Sequence, residues 1–298
     1  MRTVYLPLAP SSKLNRGTVI RHPSGPTNPK YLSADNRTRA DKKIRVLLLD
    51  IETSPMEVFA WRLFKQTVLP HSIIKDWAML SWAAKWLCES KVMSARATKR
   101  GAVERDDRKM CEKLWPLLEE ADIVIAHNGI KFDIKKINTR FIVNGLKPPS
   151  PYMVIDTLKE ARRHFAFSSN KLDYINETLG LQRKLETDFD LWRGCVNGDL
   201  RAIMAMEEYN RSDVTALEEL YFMLRPWMKS HPNLGTFMDG TGTVCPACGG
   251  TNLTECGEYH TPCGKYTAFR CECGAIGRLR RTHITGLERA SLGVSVAR

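Results

Sequence analysis

RVLLLDIETSP, the stretch from Arg45 to Pro55, carries the pattern on which the fold turns. Ile44 and the run Val46 to Leu49 are apolar and branched without a polar break, as a strand buried on both faces requires. Asp50 and Glu52 follow at a spacing of two, which on a strand sends both carboxylates to the same side of the sheet. Two acids on one face of an otherwise apolar strand repel each other and lose hydration, so a cation normally sits between them. Oxygen ligands with no Cys or His nearby favour magnesium or manganese. Without an ion the same residues read as a strand end running into a solvated turn, with Thr53, Ser54 and Pro55 supplying the turn.

On the N-terminal side, residues 1–43 are rich in Pro, Ser, Asn and basic residues with no sustained period, and are expected to form an extended or disordered arm. On the C-terminal side, Glu57 to Gln66 and Asp76 to Leu87 read as the second and third strands of a meander, the end of the latter running into a helix. Trp77, Trp82 and Trp86 sit among Ala, Leu and Met, so core tryptophans are expected rather than base-stacking ones. Asp106 to Glu120 has helical periodicity and precedes a second buried strand, Asp122 to Ala126. A loop and a helix follow, with Phe132, Ile137 and Phe141 on its inner face and Gly145 as its stop. Met153 to Thr157 is expected as a short strand, and Leu158–Phe165, Leu172–Leu179 and Leu200–Leu224 as helices, Gly180 capping the second. Gly, Thr and Pro near residues 231–243 mark a linker. The expected organisation is therefore an arm (1–43), an α/β domain (44–230), a linker (231–243) and a small C-terminal module (244–298).

Composition narrows the partners. No apolar run approaches the ~20 residues of a membrane span, and the first residues lack the long apolar segment of a signal peptide. The nine cysteines include Cys88, Cys111 and Cys195 scattered in apolar or helical settings, which suits a reduced, cytoplasmic protein. A formal net charge of +12 argues for an acidic partner, nucleic acid first.

Three more acids belong with the first pair. Asp133 closes the string Asn128-Gly-Ile-Lys-Phe132-Asp133 at a helix start, where the dipole favours a carboxylate. Asp213 lies four residues after Tyr209, so acid and phenol share a helical face. Asp156 ends its strand and is a less secure neighbour. With D-x-E at Asp50 and Glu52, N-x-x-x-F-D at Asn128, Phe132 and Asp133, and Y-x-x-x-D at Tyr209 and Asp213, the chain resembles the DEDDy branch of the DnaQ-like exonucleases. The histidine that defines the sister branch is absent from Met204 to Glu208. The resemblance covers about Ile44 to Trp227, and in overall layout the chain is similar to exonuclease-like proteins of bacteriophages and prophages.

That resemblance implies a ribonuclease H-like α/β fold, a mixed sheet flanked by helices, and a 3′–5′ exonuclease acting on single-stranded nucleic acid, DNA in preference to RNA. It implies two Mg²⁺ or Mn²⁺ held by Asp50, Glu52, Asp133 and Asp213, the arrangement that activates water and stabilises a leaving oxygen. Tyr209 would orient the water, since a phenol with a pKa of about 10 is a poor base. Asn128 and Phe132 would position the terminal nucleotide, Phe132 alternatively packing, and Lys171 would contact phosphate. The resemblance also implies a replication or repair protein as a partner and no membrane. An RNA-trimming nuclease of the same fold and a nucleic-acid-binding protein without activity are the competing readings.

The tail carries a separate signal. Cys245-Pro-Ala-Cys248-Gly is a zinc-knuckle pattern, and Cys271 with Cys273 forms a second pair one residue closer than C-x-x-C. Cys256, Cys263 and His260 are alternative ligands. A module with too little apolar content for its own core needs such a staple, and one structural Zn²⁺ in a four-cysteine ribbon is expected. Tyr259, Tyr266, Phe269, Arg270, Arg278, Arg280 and Arg281 make the ribbon basic and aromatic, as single-strand binding requires.

Overall fold

The computed structural model describes residues 44–183, 185, 187–240, 242–294 and 296; the N-terminal arm lies outside them. The buried run around Leu47 becomes β1 (Val46–Thr53), the middle strand of a five-stranded sheet. Antiparallel to it runs β4 (Met79–Trp86), which pairs in turn with the edge strand β5 (Val92–Arg96). On its other side β6 (Ile123–Ala126) and β7 (Met153–Asp156) are parallel to it, giving the order β5-β4-β1-β6-β7.

The alternation along β1 allots each residue to one of two cores. Leu47, Leu49 and Ile51 pack with Trp82, Ile137 and Phe141 beneath α2 (Arg108–Glu120) and α3 (Asp133–Val143). Val46 and Leu48 pack with Val214, Leu217 and Leu220 of the long helix α7 (Leu200–Leu224). Asp50 and Glu52 continue that second register, so both carboxylates point toward the α7 side. Asp107 ties the first layer together: its buried carboxylate accepts from the Met79 amide, from Asn144 and from Nε and Nη2 of Arg140 at 2.6 and 2.8 Å.

Short helices complete the domain: α1 (Lys99–Glu104), α4 (Thr157–His164), α5 (Leu172–Leu179) and α6 (Phe189–Val196). Gly180 closes α5 in the left-handed region, φ 68°, where a side chain would be strained.

Three expectations need correction. Glu57 to Gln66 is not a strand: only β2 (Glu57–Val58) pairs, with β3 (Ile73–Lys75), and the residues between form a loop whose Phe59 and Trp61 are 71% and 99% exposed. The loop forms because Gln66 Oε1 accepts from the Trp61 and Arg62 amides, which turns the chain back before a ladder can extend. Second, β4 stays a strand to Trp86, since all eight of its residues are buried between strands on both sides. Third, Trp77 is only half-buried, with Lys136 Nζ 3.6 Å from its ring centroid, while Trp82 and Trp86 are in the core.

The C-terminal module is an antiparallel sheet of β8 (Leu253–Thr261), β9 (Gly264–Cys271) and β10 (Ile276–Arg278), followed by α8 (Gly286–Ala290). Its buried cluster is Cys245, Ala247, Cys271 and Ala275. Among the described residues of 231–243, Leu234–Phe237 forms a 3₁₀ turn; Leu234 packs with Leu224 and Met228 at the end of α7, and its amide donates to Pro246 O at 2.8 Å. Among the described residues no helix is long and apolar enough to cross a membrane.

Candidate metal centre and cysteine cluster

The end of β1 and the middle of α7 meet at three carboxylates. Asp50, Glu52 and Asp213 each offer an oxygen within 4.8 Å of the other two. Asp213 is fully buried while Asp50 and Glu52 are half-buried, so the site is closed on the helix side and open at the strand end. Three anions at this spacing repel strongly in a partly desolvated site, and oxygen donors alone suit a hard divalent cation.

Asp133 occupies the first turn of α3 and is 2% exposed. Its Oδ1 accepts from the Ile51 amide at 3.2 Å, fixing it to β1 between the two strand acids, but it is outside the three-carboxylate cluster. Tyr209 is 8% exposed, one turn before Asp213, with its ring edge-on to Trp192 at 6.2 Å. The phenol thus packs as a core residue while sharing the helical face of the acid.

The sequence reading missed Asn210. This fully buried amide donates through Nδ2 to Asp50 Oδ2. A neutral donor restrains the carboxylate without cancelling its charge, leaving it able to bind a cation. An Asn beside the tyrosine and three residues before the aspartate was the available signal, because a helix interior rarely buries an amide without a partner.

Asp156 is elsewhere and has another task. It accepts from the amides of Leu158 and Lys159, capping α4, and from those of Asn128 and Ile130. It therefore staples the loop that delivers Asp133. In that loop Asn128 has φ 69°, and its carbonyl accepts from Lys131 and Phe132. Phe132 is 37% exposed rather than on the inner face of α3, because it precedes the first helical turn. Lys171 precedes α5 as an exposed residue. Beside the strand end, a cleft of about 490 Å³ runs between Thr53–Pro55 and Phe189 and Trp192 of α6.

In the C-terminal module the sulfur atoms of Cys245, Cys248, Cys271 and Cys273 converge. Two of the separations are 3.7 Å (Cys245 to Cys273) and 3.5 Å (Cys248 to Cys271). A tetrahedron with Zn–S bonds of about 2.3 Å has edges of about 3.8 Å, so the four thiols fit a zinc ion and are too far apart for disulfides. Gly249, at φ 74°, makes the turn after Cys248, and the Gly250 amide donates to Cys248 Sγ at 3.3 Å. Cys256 and Cys263 are exposed, and His260 lies near Glu258, all outside the cluster.

The nine thiols fall into three sets with different expected reactivity. Cys88, Cys256 and Cys263 are exposed and should react at once with a thiol reagent at pH 8. The four clustered thiols should react only after a chelator is added. Cys111 and Cys195 should wait for denaturation, since burial pushes their pKa up to about 12 and about 11. Counting released chromophore in the three steps checks this.

A central strand carrying two acids, antiparallel partners on one side, parallel ones on the other and helices on both faces define a ribonuclease H-like fold. Residues 90–225 match the model of the RNase_H superfamily, a span that includes Asp133, Tyr209 and Asp213 and begins after Asp50 and Glu52. The chain is 32% identical over 141 residues to a DNA polymerase III PolC-type from Ureaplasma parvum, over 45% of this chain and 9% of that polymerase. It thus spans under a tenth of that relative's length. Among solved structures, the family B DNA polymerase of the archaeon Pyrobaculum calidifontis is similar with a TM-score of 0.44 and 15% identity, over 62% of this chain and 25% of that one.

Proposed function

We propose that the chain is a metal-dependent 3′–5′ exonuclease of the DEDDy type, acting on single strands and on DNA in preference to RNA. One observation carries the reading: Asp50, Glu52 and Asp213 converge within 4.8 Å at the open end of the central strand. Divalent ions bound there would activate the attacking water and stabilise the leaving oxygen. Asp50, Glu52 and Asp213 would hold them, with Asp133 reaching the same strand end from α3. Asn210 keeps the Asp50 carboxylate aimed. The cleft between Pro55 and Trp192 has room for a terminal nucleotide, and an unpaired end enters it more readily than a duplex. The similarity to a PolC-type polymerase supports a nucleic-acid substrate.

Labelled DNA and RNA single strands, tagged at either end and incubated with manganese, test the proposal. A 5′-labelled strand should shorten one nucleotide at a time, and a blocked 3′ end should resist. Faster RNA trimming would reassign the substrate, cutting of a circular strand would make the enzyme an endonuclease, and no cleavage at all would leave a binding protein.

Tyr209→Phe isolates the phenol hydroxyl. Phenylalanine preserves the edge-on contact with Trp192, so folding should be unchanged while kcat falls by roughly 10²-fold, the low end for a positioned proton-transfer or water-orienting group. Circular dichroism and turnover, measured on one preparation, decide it. Full activity in this variant would leave Tyr209 a packing residue only.

A further inference from the structure

At the other edge of the sheet lies a second cleft, also about 490 Å³, bounded by β5, α1, α2 and the first turns of α7. Its lining is strongly biased in charge: Arg96, Lys99, Lys109 and Lys113 face it, with Glu207 the acid among the lining residues. Glu207 is already engaged, by Arg96 and by Ser94 Oγ at 2.8 Å. Among the described residues Lys99, Lys109 and Lys113 make no ion pair, and all three are exposed. Holding three uncompensated ammonium groups around one concavity raises their mutual repulsion, which an anionic ligand relieves.

Strand register relates this cleft to the metal centre. Glu52 pairs with Ser81, and Ser81 pairs with Arg96. Directly paired residues point to the same face, so Arg96 lies on the α7 side, two strand spacings or about 10 Å from Glu52 measured between backbones. Ser81, between them, is fully buried beneath α7, so a phosphodiester chain with its end at Glu52 would reach Arg96 by passing around the end of that helix rather than across the sheet, a longer path of several nucleotides.

We propose that this sheet-edge cleft binds the phosphate backbone of a single strand whose terminus lies at the carboxylates, through Lys99, Lys109 and Lys113. The choice of ligand rests on the proposed function; the cleft and its charge do not. The contacts are to phosphate and carry no base preference.

The test uses the full chain carrying Asp50→Asn, so that a labelled oligothymidylate survives, and reads fluorescence anisotropy from 0.05 to 1 M salt. Changing Lys99, Lys109 and Lys113 together to Gln should lower the logarithmic salt slope by about 2, at about 0.7 per phosphate contact on a single strand. The same arithmetic weakens binding about 10²-fold at 0.1 M salt and restores parity near 1 M. A control removing equal charge elsewhere, Lys147, Lys159 and Lys229 to Gln, should change the slope by much less. Equal slopes for the two triple variants would reduce the effect to net charge and overturn the site. Inorganic triphosphate that binds in calorimetry and is lost in the cleft variant, with oligomer binding intact, would overturn it in favour of a small polyphosphate. In the Asp50→Asn background, the cleft variant should keep the wild-type response of its melting temperature to zinc chelation. With Asp50 restored, it should hydrolyse the p-nitrophenyl ester of thymidine monophosphate as wild type does. If wild-type protein hydrolyses neither ester nor strand while the slope still falls by about 2, the exonuclease reading fails and the cleft stands.

Discussion

Asp50→Ala is expected to lower hydrolysis of a single strand by at least about 10³-fold, the upper end of what removing one electrostatic partner of a transition state costs. Asp50 is the acid that both neighbouring elements address: Glu52 shares its strand face, Asp213 approaches from α7, and Asn210 donates to its Oδ2. The fold should survive, because Leu49 and Ile51 on either side remain in the core and alanine is tolerated in a central strand. Two opposing terms set stability without metal. Removing one of three crowded carboxylates relieves repulsion, whereas the buried Asn210 donor loses its acceptor, at about 1–3 kcal/mol. Asp50→Asn separates them, since its amide oxygen still accepts from Asn210 while the charge is gone, so its melting temperature in chelator should equal or exceed that of wild type. Manganese should raise the wild-type melting temperature by ligand linkage and leave both variants unmoved. Wild-type turnover by Asp50→Ala would remove the carboxylates from the chemistry.

What could be read from sequence followed from how strongly each segment's own pattern was determined. The helix α7 was legible to the residue because its buried positions recur every three or four residues from Ile203 to Leu224. α5 was legible for its Gly180 stop. The edge strand β5 was not, since Val92–Arg96 is half-buried and short, and its pairing to β4 is a long-range fact. Nor was α6, where Gly194 interrupts an eight-residue helix. The loop after β2 shows aromatic spacing typical of a strand, whereas the contacts that turn it, Gln66 with the Trp61 and Arg62 amides and Lys65 at φ 52°, are invisible in the pattern. In the site, residue types at fixed spacings pointed to Asp50, Glu52 and Asp213, which the fold brings together. Asn210 was hidden because its value comes from a partner 160 positions away. Asp156 had the right residue type and position at a strand end, but its oxygens are filled by four backbone amides.

Removing zinc, by chelation or by changing Cys245 and Cys248 to Ser, should unfold residues from Cys245 onward while the α/β domain stays folded. Besides Ala268 and Phe269 the module buries a small cluster in which two of the four members are themselves cysteines, so metal binding supplies most of its folding free energy. The α/β domain has two full cores of its own, and Leu234 packs with Leu224 and Met228 of that domain rather than with the cysteines. The unfolding should therefore stop near the Leu234–Pro246 hydrogen bond. None of the lost residues belongs to the carboxylate site, so kcat on a short strand should stay within a few-fold, whereas KM on long strands should rise, because Arg278 stacked at 3.9 Å on Tyr266 offers bases and phosphates a uniform grip. Elemental analysis should find one zinc per chain in protein purified without chelator and none in the Cys245→Ser, Cys248→Ser protein. Zinc-free wild-type protein with an intact module would reject the metal; an unchanged KM after the module unfolds would leave the metal and assign the surface around Tyr266 to a protein partner.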